Sequence, residues 1–588
     1  MFDLAEDIEE DIGDKVPNSN VKVELEDQVA YLSGRTETWE EYVDAGHIAG
    51  ENDDIRGVVT DIDVEEVEDN QTEGAEKESP DEVLKETQDV VIVGGGVSGC
   101  SIARELSKYD LDVTLVEKEL DVSLGASKAN NGCVHVGIDQ GKETLKHKLC
   151  LKGNSMFDDL TEELDVPFRR IGTLLTITDR TLPEKVESYL PSFLENILLK
   201  HVIPKIVTLY GKMKNVPGLE KLSDREAKEL EPNLKDDIYS GVLMSTMGII
   251  SPYEWVIALA ENAVDNGVDL MLDTEVIEIL SDEDNQIEGG RTDRGVLEAE
   301  YVINAAGVYA DELAETVGAR EFTIHPRKGS LIIFDKNNSD YNDHVVSELR
   351  FGGDEYTKGG TAMKTPEGNP EWGPTAVEVS DKEDKSVTEE EIGKILDKYG
   401  FLFPDFETGG MIRYFAGVRA STFTEDFFIE ASDKAPGLVN VAGIQSPGLA
   451  SSPAIAEHVV GILGSEGLEV EKDPDFDPER GGTPRFEEMS EEERKELVEE
   501  DSRYGKIICR CEKVSEREVL DAIDEPVPAL TVDAVKRRTR AGMGRCQSGF
   551  CRPRVINILS EELDIPVEEV KKKRGGNSVT RRTKEGVR

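Results

Sequence analysis

Residues 89–119, DVVIVGGGVSGCSIARELSKYDLDVTLVEKE, constrain this chain more than any other stretch. They read as strand, glycine turn, helix, strand, with the apolar period switching from continuous to helical and back. Gly94, Gly96 and Gly99 stand in the G-x-G-x-x-G arrangement. The first glycine permits the tight turn and the second lets backbone approach a pyrophosphate. The third lets helix pack closely on strand, so that the helix N-terminus aims at the phosphates. Glu117 ends the second strand 18 residues beyond Gly99, where an acid accepts hydrogen bonds from ribose hydroxyls. A bare glycine pattern occurs in other α/β turns; the flanking strand, helix and acid make this a dinucleotide site.

The chain is long enough, at 588 residues, for several domains. VKVELEDQVAYLSG alternates like a hairpin, TETWEEYVDAGHIAG has helical spacing and IRGVVTDIDV returns to strand, so residues 1–70 read as an acidic N-terminal module. This pattern, with a glycine turn at Gly34, resembles a BON-type module. Residues 71–87 read as a linker, 88–467 as the α/β body, 468–503 as a second linker, and 504–588 as a final module.

Lysine and arginine number 67 against 124 acids, a net charge of −57. That excludes nucleic acid as a partner and suits a salt-rich, halophilic cytoplasm, where a Debye length of about 3 Å at molar salt screens self-repulsion. No signal peptide precedes the acidic N-terminus and no run of about 20 apolar residues occurs, so a cytoplasmic protein is expected. One cationic apolar stretch, LENILLKHVIPKIVTLYGKMK, departs from the acidic trend. It reads as a helix of the body interrupted by Pro204, with peripheral membrane contact at the inner face as the functional reading.

Three further segments carry a family resemblance. GASKANNGCVHVGI follows the acid-bearing strand, YVINAAGVYADELA lies mid-chain, and LVNVAGIQSPGLASSPAIAEHV closes the body. In this order they resemble the D-amino-acid oxidase and glycerol-3-phosphate dehydrogenase superfamily of FAD-dependent oxidoreductases. The resemblance implies FAD, a Rossmann-type domain and an inserted, mostly antiparallel β domain roofing the flavin. A planar cofactor under backbone needs trimmed side chains, which Gly307, Gly443 and Gly448 supply. By resemblance, Ser127 and Asn131 lie along the phosphates and ribityl chain, and Gly448 with Leu449 faces the pyrimidine edge.

On the substrate side, HPRKGSLIIFDK and FAGVRAS resemble glycerol-3-phosphate dehydrogenases, which makes Arg419 the expected anion clamp, with Lys328 and Arg327 behind it. A guanidinium grips an oxyanion bidentately, and so acidic a chain must concentrate positive charge to hold a small anionic substrate. His135, in NNGCVHVGI, is the candidate base for an alcohol proton. A salt bridge is the bland alternative for each cation, and loop packing for the histidine.

Seven cysteines do not make a secreted disulfide framework. Cys100, Cys133 and Cys150 read as core residues, while Cys509, Cys511, Cys546 and Cys551 form C-x-C, a 34-residue gap, then C-x4-C. Spacing alone admits an iron-sulfur cluster or zinc. The pattern resembles the bacterioferritin-associated-ferredoxin-like (BFD-like) domain at the end of anaerobic glycerol-3-phosphate dehydrogenase A subunits, which implies [2Fe-2S]. Gly542, Gly544 and Gly549 allow backbone amides to turn toward the sulfurs.

The fold class expected is therefore α/β: a Rossmann-type FAD domain with an inserted antiparallel β domain, a small α-rich cysteine module and a small N-terminal α+β module. The activity implied is oxidation of a small anionic hydroxy compound, glycerol 3-phosphate first, with electrons passing through the cluster to an electron-acceptor protein or quinone. L-2-Hydroxyglutarate dehydrogenase or oxidase, an amine or amino-acid dehydrogenase subunit, and a non-catalytic electron-transfer subunit are the rival readings.

Overall fold

The Gly94 turn connects strand Gln88–Val93 to helix Val97–Leu106 in a computed structural model that describes residues 2–67, 80–183, 191–352 and 360–579. That strand lies at the centre of an eight-stranded sheet. Asp269–Met271, Val113–Val116, Gln88–Val93, the end of Gly295–Asn304 and Leu438–Ala442 run parallel in that order. Parallel strands are buried on both faces, which is why DVVIVG and YVIN read as continuous apolar runs. Helices Val97–Leu106, Leu145–Glu163, Pro252–Asp265 and Gly448–Ser465 cover one face around the fully buried Trp255 and Phe157. Asn304 Nδ2 donates to Asn440 Oδ1 at 2.9 Å, tying two adjacent parallel strands together.

A second, nine-stranded sheet roofs the first. Its longest pair is His325–Phe334 against Met411–Ser421, antiparallel, with Arg327 opposite Arg419 and Gly329 opposite Gly417. All its pairings are antiparallel save Val345–Glu348 against Thr173–Ile177. The expected inserted antiparallel domain is present, and the α/β class holds.

The N-terminal residues form helix Phe2–Lys15, a hairpin of Asn20–Glu26 and Val29–Thr36, helix Trp39–Gly50 and strand Gly57–Val64 parallel to the second hairpin strand. The turn falls at Asp27 and Gln28, both at positive φ, and not at Gly34. Gly34 sits inside its strand at φ +136°, where a Cβ would lie 1.8 Å from the Asn20 carbonyl oxygen. The alternation was legible, but the position of the glycine marked close backbone approach and not reversal of the chain. Phe423 of the body inserts into this unit's core, and added Cβ atoms at Gly46 and Gly50 would collide with Phe423 at 2.4 Å.

Both stretches expected as linkers have packed portions. Residues 68–79 lie outside the described residues, but Leu84 N–H bonds the Val296 carbonyl at 2.9 Å. Residues 468–503 run along the body, where Asn262 Nδ2 donates to the Asp477 carbonyl at 3.0 Å and Arg480 pairs with buried Glu261 at 2.6 Å. They then form helix Glu491–Glu500, started by a Ser490/Glu493 capping box. Pro204 does not end the cationic helix either: Ser192–Ile197, a π-helical turn Leu198–Val202 and Ile203–Met213 follow without a break, with Pro204 in the first turn of the last piece.

Candidate active site

The cradle is shaped by close approaches. A Cβ on Gly99 would lie 1.9 Å from the Gly94 carbonyl oxygen, so only glycine lets this helix meet this strand. Gly94 itself has φ +109° and faces the Ala305 carbonyl. At Gly96 an added Cβ would meet only Ser127 Oγ, at 3.3 Å, which leaves the space before the helix N-terminus open for a phosphate-bearing group. Ser127 Oγ accepts the Val97 N–H at 2.9 Å. Glu117 Oε2 accepts the Gly95 N–H at 2.7 Å and Oε1 the Glu119 N–H at 2.9 Å. Burial raises the Glu117 pKa against those two bonds. Gly307 adopts φ +62° with nothing within 4 Å of an added Cβ.

Three separated segments meet over this cradle. A Cβ on Gly417 would lie 2.6 Å from the Ala129 carbonyl oxygen, which places the roof strand against the 125–131 loop. Ser421 Oγ donates to Gln445 Oε1 at 3.2 Å, joining the same strand to the 443–449 loop. His135 Nε2 lies 3.4 Å from Ser446 Oγ, which joins that loop to the chain leaving strand Cys133–Val134. Asn131 spans from Thr361 Oγ1, at 3.2 Å, to the Cys133 N–H, at 3.3 Å. Gly448 and Leu449 open helix Gly448–Ser465, so their N–H groups belong to its positive end. Gly443 stands at the start of the loop, packed on the Asp426 carbonyl.

Alternate residues of a strand share a face, and Gly417, Arg419 and Ser421 are such a series. Arg419 therefore lies between Ala129 and Gln445, on the cradle side. Its guanidinium rests across Gly329, where an added Cβ would come within 2.5 Å of it, and donates to the Thr375 carbonyl at 3.1 Å. Burial, and then repulsion from Arg327, lowers its pKa to about 10, so it stays cationic at neutral pH. Arg327, on the same face, is tied to Glu378 and, at 2.6 Å, to Glu425. Lys328 is on the other face: its ammonium is buried and held by Asp384 at 2.8 Å and Ser386 at 3.3 Å, with Glu391 at 3.7 Å. The structure does not bring Lys328 to the cradle, because strand period 2 turns it away from both arginines.

The four C-terminal cysteines converge as free thiols, with Cys511 Sγ and Cys546 Sγ 3.7 Å apart. The Cys551 thiol, with backbone N–H groups of Gly542 and Glu512, stabilises the charged form of Cys509 and lowers its pKa against its burial. A Cβ on Gly544 would sit 2.9 Å from Cys511 Sγ, so this glycine clears room beside the sulfurs. Such a thiolate set with inward amides fits a metal cluster. Cys100, Cys133 and Cys150 are buried in the body, as core residues. Buried Asp121, four residues past Glu117, receives Arg537 at 2.6 Å and Arg538 at 2.9 Å, fastening the cysteine module to the dinucleotide half.

A parallel-sheet nucleotide cradle beneath an antiparallel roof is the architecture of an oxidoreductase that works on a bound flavin. Residues 89–462 match the family described as FAD dependent oxidoreductase, and residues 507–561 match the BFD-like [2Fe-2S] binding domain. The chain belongs to the FAD-dependent oxidoreductase family. It is 42% identical over 497 residues to glycerol 3-phosphate dehydrogenase of Caloramator mitchellensis, covering 84% of this chain and 98% of that one. It is 27% identical over 536 residues to anaerobic glycerol-3-phosphate dehydrogenase subunit A1 of Haloferax volcanii, covering 82% and 84%. Among solved structures, dithionite-reduced L-alpha-glycerophosphate oxidase of Mycoplasma pneumoniae with FAD bound superposes with TM-score 0.60 at 28% identity, over 67% of this chain and 99% of that one.

Several residues at the site carried no signal in the sequence. Gln445 and Glu425 are unremarkable polar residues of loops, yet Gln445 Nε2 donates to Glu425 Oε2 at 2.6 Å and the pair backs Arg327. His47, from the N-terminal helix, reaches the same cluster with Nε2 3.8 Å from Glu425 Oε1. Gly329 was visible only as the small residue of KGS; its job is set by Arg419, across the sheet.

Proposed function

We propose that this enzyme oxidises glycerol 3-phosphate to dihydroxyacetone phosphate and passes the electrons through the cysteine module to a further subunit, carrier or quinone. The single observation behind this reading is Arg419, a guanidinium on the cradle face with no carboxylate within salt-bridge distance among the described residues, while its cross-strand neighbour Arg327 is neutralised twice. An uncompensated cation in so acidic a chain is a site for an external anion. The names of the relatives support the phosphate ester as that anion.

Bound in the cradle, FAD supplies hydride acceptance. The chain's own residues do the rest: the helix beginning at Val97, with Ser127, would hold the pyrophosphate, Glu117 the ribose and Asn131 the ribityl side. Gly448 and Leu449 would present N–H groups to the pyrimidine edge, at the positive end of their helix. Arg419 would orient the phosphate, and His135 Nε2 would take the hydroxyl proton. Cys509, Cys511, Cys546 and Cys551 would hold the [2Fe-2S] cluster, which supplies one-electron transfer. We assign the domains as a BON-like unit to residue 70, the flavin body over 88–467 and the cluster module from 504, with connecting segments partly packed on the body.

Among the described residues no helix is long and apolar enough to cross a membrane. The run Ser192–Met213, however, exposes Phe193 (65%), Leu209 (61%) and Met213 (63%), with Ile197 and Ile206 along the same run and Lys200, Lys205 and Lys212 among them. An apolar ridge flanked by cations suits the surface of an anionic bilayer. Phosphatidylglycerol vesicles should co-sediment the enzyme, and an Ile206→Ser/Leu209→Ser variant should stay in the supernatant.

The substrate reading is tested by anaerobic mixing. Glycerol 3-phosphate should bleach the flavin within the turnover time, and L-2-hydroxyglutarate should not. Bleaching by the hydroxy acid alone would transfer the Arg419 clamp to a carboxylate substrate.

A further inference from the structure

The charge of this chain is divided unevenly. Residues 504–588 hold 19 Lys and Arg against 13 Asp and Glu, a net charge of +6, although the whole chain carries −57. The remaining residues therefore carry −63. Part of this surplus anchors the module internally, through Arg537 and Arg538 on Asp121 and Arg540 on Glu367 and Glu512. Six further cations flank the cysteines in sequence; Lys506, Lys513 and Arg545 pair with Glu516, Glu487 and Asp335, while Arg510, Arg552 and Arg554 have no carboxylate in salt-bridge distance among the described residues. Within three positions of any of the four, every exposed charged residue is a cation: Lys506, Arg510, Lys513, Arg545, Arg552 and Arg554. The one acid in that range, Glu512, is buried and bound to Lys336 at 3.1 Å and Arg540 at 3.0 Å.

At the centre of this cationic rim the sulfur site reaches solvent. Cys511 is exposed, and Phe550, next to Cys551, is 83% exposed, the highest value among the large apolar residues described. An aromatic anchor within a charged rim is the anatomy of a protein interface, and a cluster held by these cysteines would supply the electron beside it.

We propose that this face is the docking site of an acidic one-electron carrier protein. The inference rests on the dehydrogenase reading above and adds the chemistry of the acceptor. Oxidation of the alcohol releases two electrons and two protons. Each carrier takes one electron, so two carriers are reduced per substrate and the protons pass to solvent. With −63 distributed over the rest of the chain, an acidic carrier is repelled elsewhere and accepted beside the cysteines, so charge selects both partner and orientation. Arg510 and Arg552 supply contact charge on either side, and Phe550 supplies the apolar centre.

The test uses anaerobically purified holoenzyme and two haem proteins of opposite charge: the acidic soluble domain of cytochrome b5 and the basic cytochrome c. Two readouts are taken at one ionic strength: binding of each oxidised probe, and glycerol 3-phosphate-driven haem reduction. Wild type should bind and reduce the acidic probe at least about tenfold better than the basic one. Arg510→Glu/Arg552→Glu should reverse that preference, and Phe550→Ser should weaken the acidic probe by about tenfold. Both variants should keep FAD, iron and substrate-driven flavin bleaching. Preference of the wild type for cytochrome c, or probe binding unchanged in both variants, overturns the proposal. Binding to phosphatidylglycerol vesicles that is lost on charge reversal, without any acidic-probe binding, also overturns it by making the occupant a lipid surface. Loss of flavin bleaching with glycerol 3-phosphate in the wild type would refute the substrate reading alone, because probe binding needs no substrate.

Discussion

Arg327 and Arg419 stand directly opposite each other on adjacent antiparallel strands, yet among the described residues only Arg327 has carboxylate partners. Two guanidiniums so placed repel, and directly opposed like charges destabilise a sheet. Glu378 and Glu425 bind Arg327, and Arg419 is left with no carboxylate in salt-bridge distance among the described residues. Glu425 shows the cost and the gain together: burial works against its charge, but Arg327 holds its pKa down to about 2.

Arg419→Ala should raise KM for glycerol 3-phosphate by about 10- to 100-fold, or ~1.4–2.8 kcal/mol, and Arg419→Lys should recover only part of it. Lys328→Ala should instead lower the melting temperature and leave KM near wild type, since its partners are Asp384 and Glu391. Steady-state kinetics with thermal melts on the three variants decide this. An equal KM effect at Lys328 and Arg419 would refute the assignment of faces.

The cradle glycines should separate by position. Gly96→Val should fold but purify without FAD, because its side chain enters open space meant for the pyrophosphate. Gly99→Ala meets the Gly94 carbonyl and should destabilise the protein itself by about 2–4 kcal/mol. Flavin absorbance and circular dichroism distinguish the outcomes.

Cys546→Ser should lose about two irons per chain while retaining FAD, with glycerol 3-phosphate still bleaching the flavin and electron transfer to an external carrier falling. Iron analysis with anaerobic absorbance spectroscopy checks it. A zinc-loaded, iron-free wild type with full electron transfer would defeat the cluster assignment.

His47 gives a pH dependence with a defined sign. Burial, and then His325, lowers its pKa to about 4 from an ordinary 6.5, against the opposing pull of Glu425 and Glu378 and with Arg327 adding to the depression. On acidification the unfolded chain takes up this proton first, so stability falls as pH drops from about 6.5 to 4, by up to ~3 kcal/mol. His47→Gln should remove that component. Melting curves of the two proteins, subtracted to cancel the shared carboxylate titrations, should diverge across this window; parallel curves would dismiss it.

The nucleotide turn, its acid and the four-cysteine set were legible in the sequence because each depends on local order: a period of apolar residues, a glycine spacing, a pair of C-x-C and C-x4-C loops. Elements 89–119 fold as their pattern dictates, since strand, turn and helix close over short distances. The sequence could also place Arg419 in a roof strand by resemblance. It could not show that Lys328, one residue from Arg327, faces the other side, or that Arg419 needs Gly329 beneath it. Nor could it show that His47 enters from the N-terminal helix to meet Glu425. Those relationships join residues tens to hundreds of positions apart. Strand register decides which side chains share a face, and packing decides which charges find internal partners. Composition alone established that the chain is strongly acidic; only the tertiary structure showed that Glu512 is buried on Lys336 and Arg540 while Phe550, beside Cys551, stands exposed, because packing decides which side chains reach solvent.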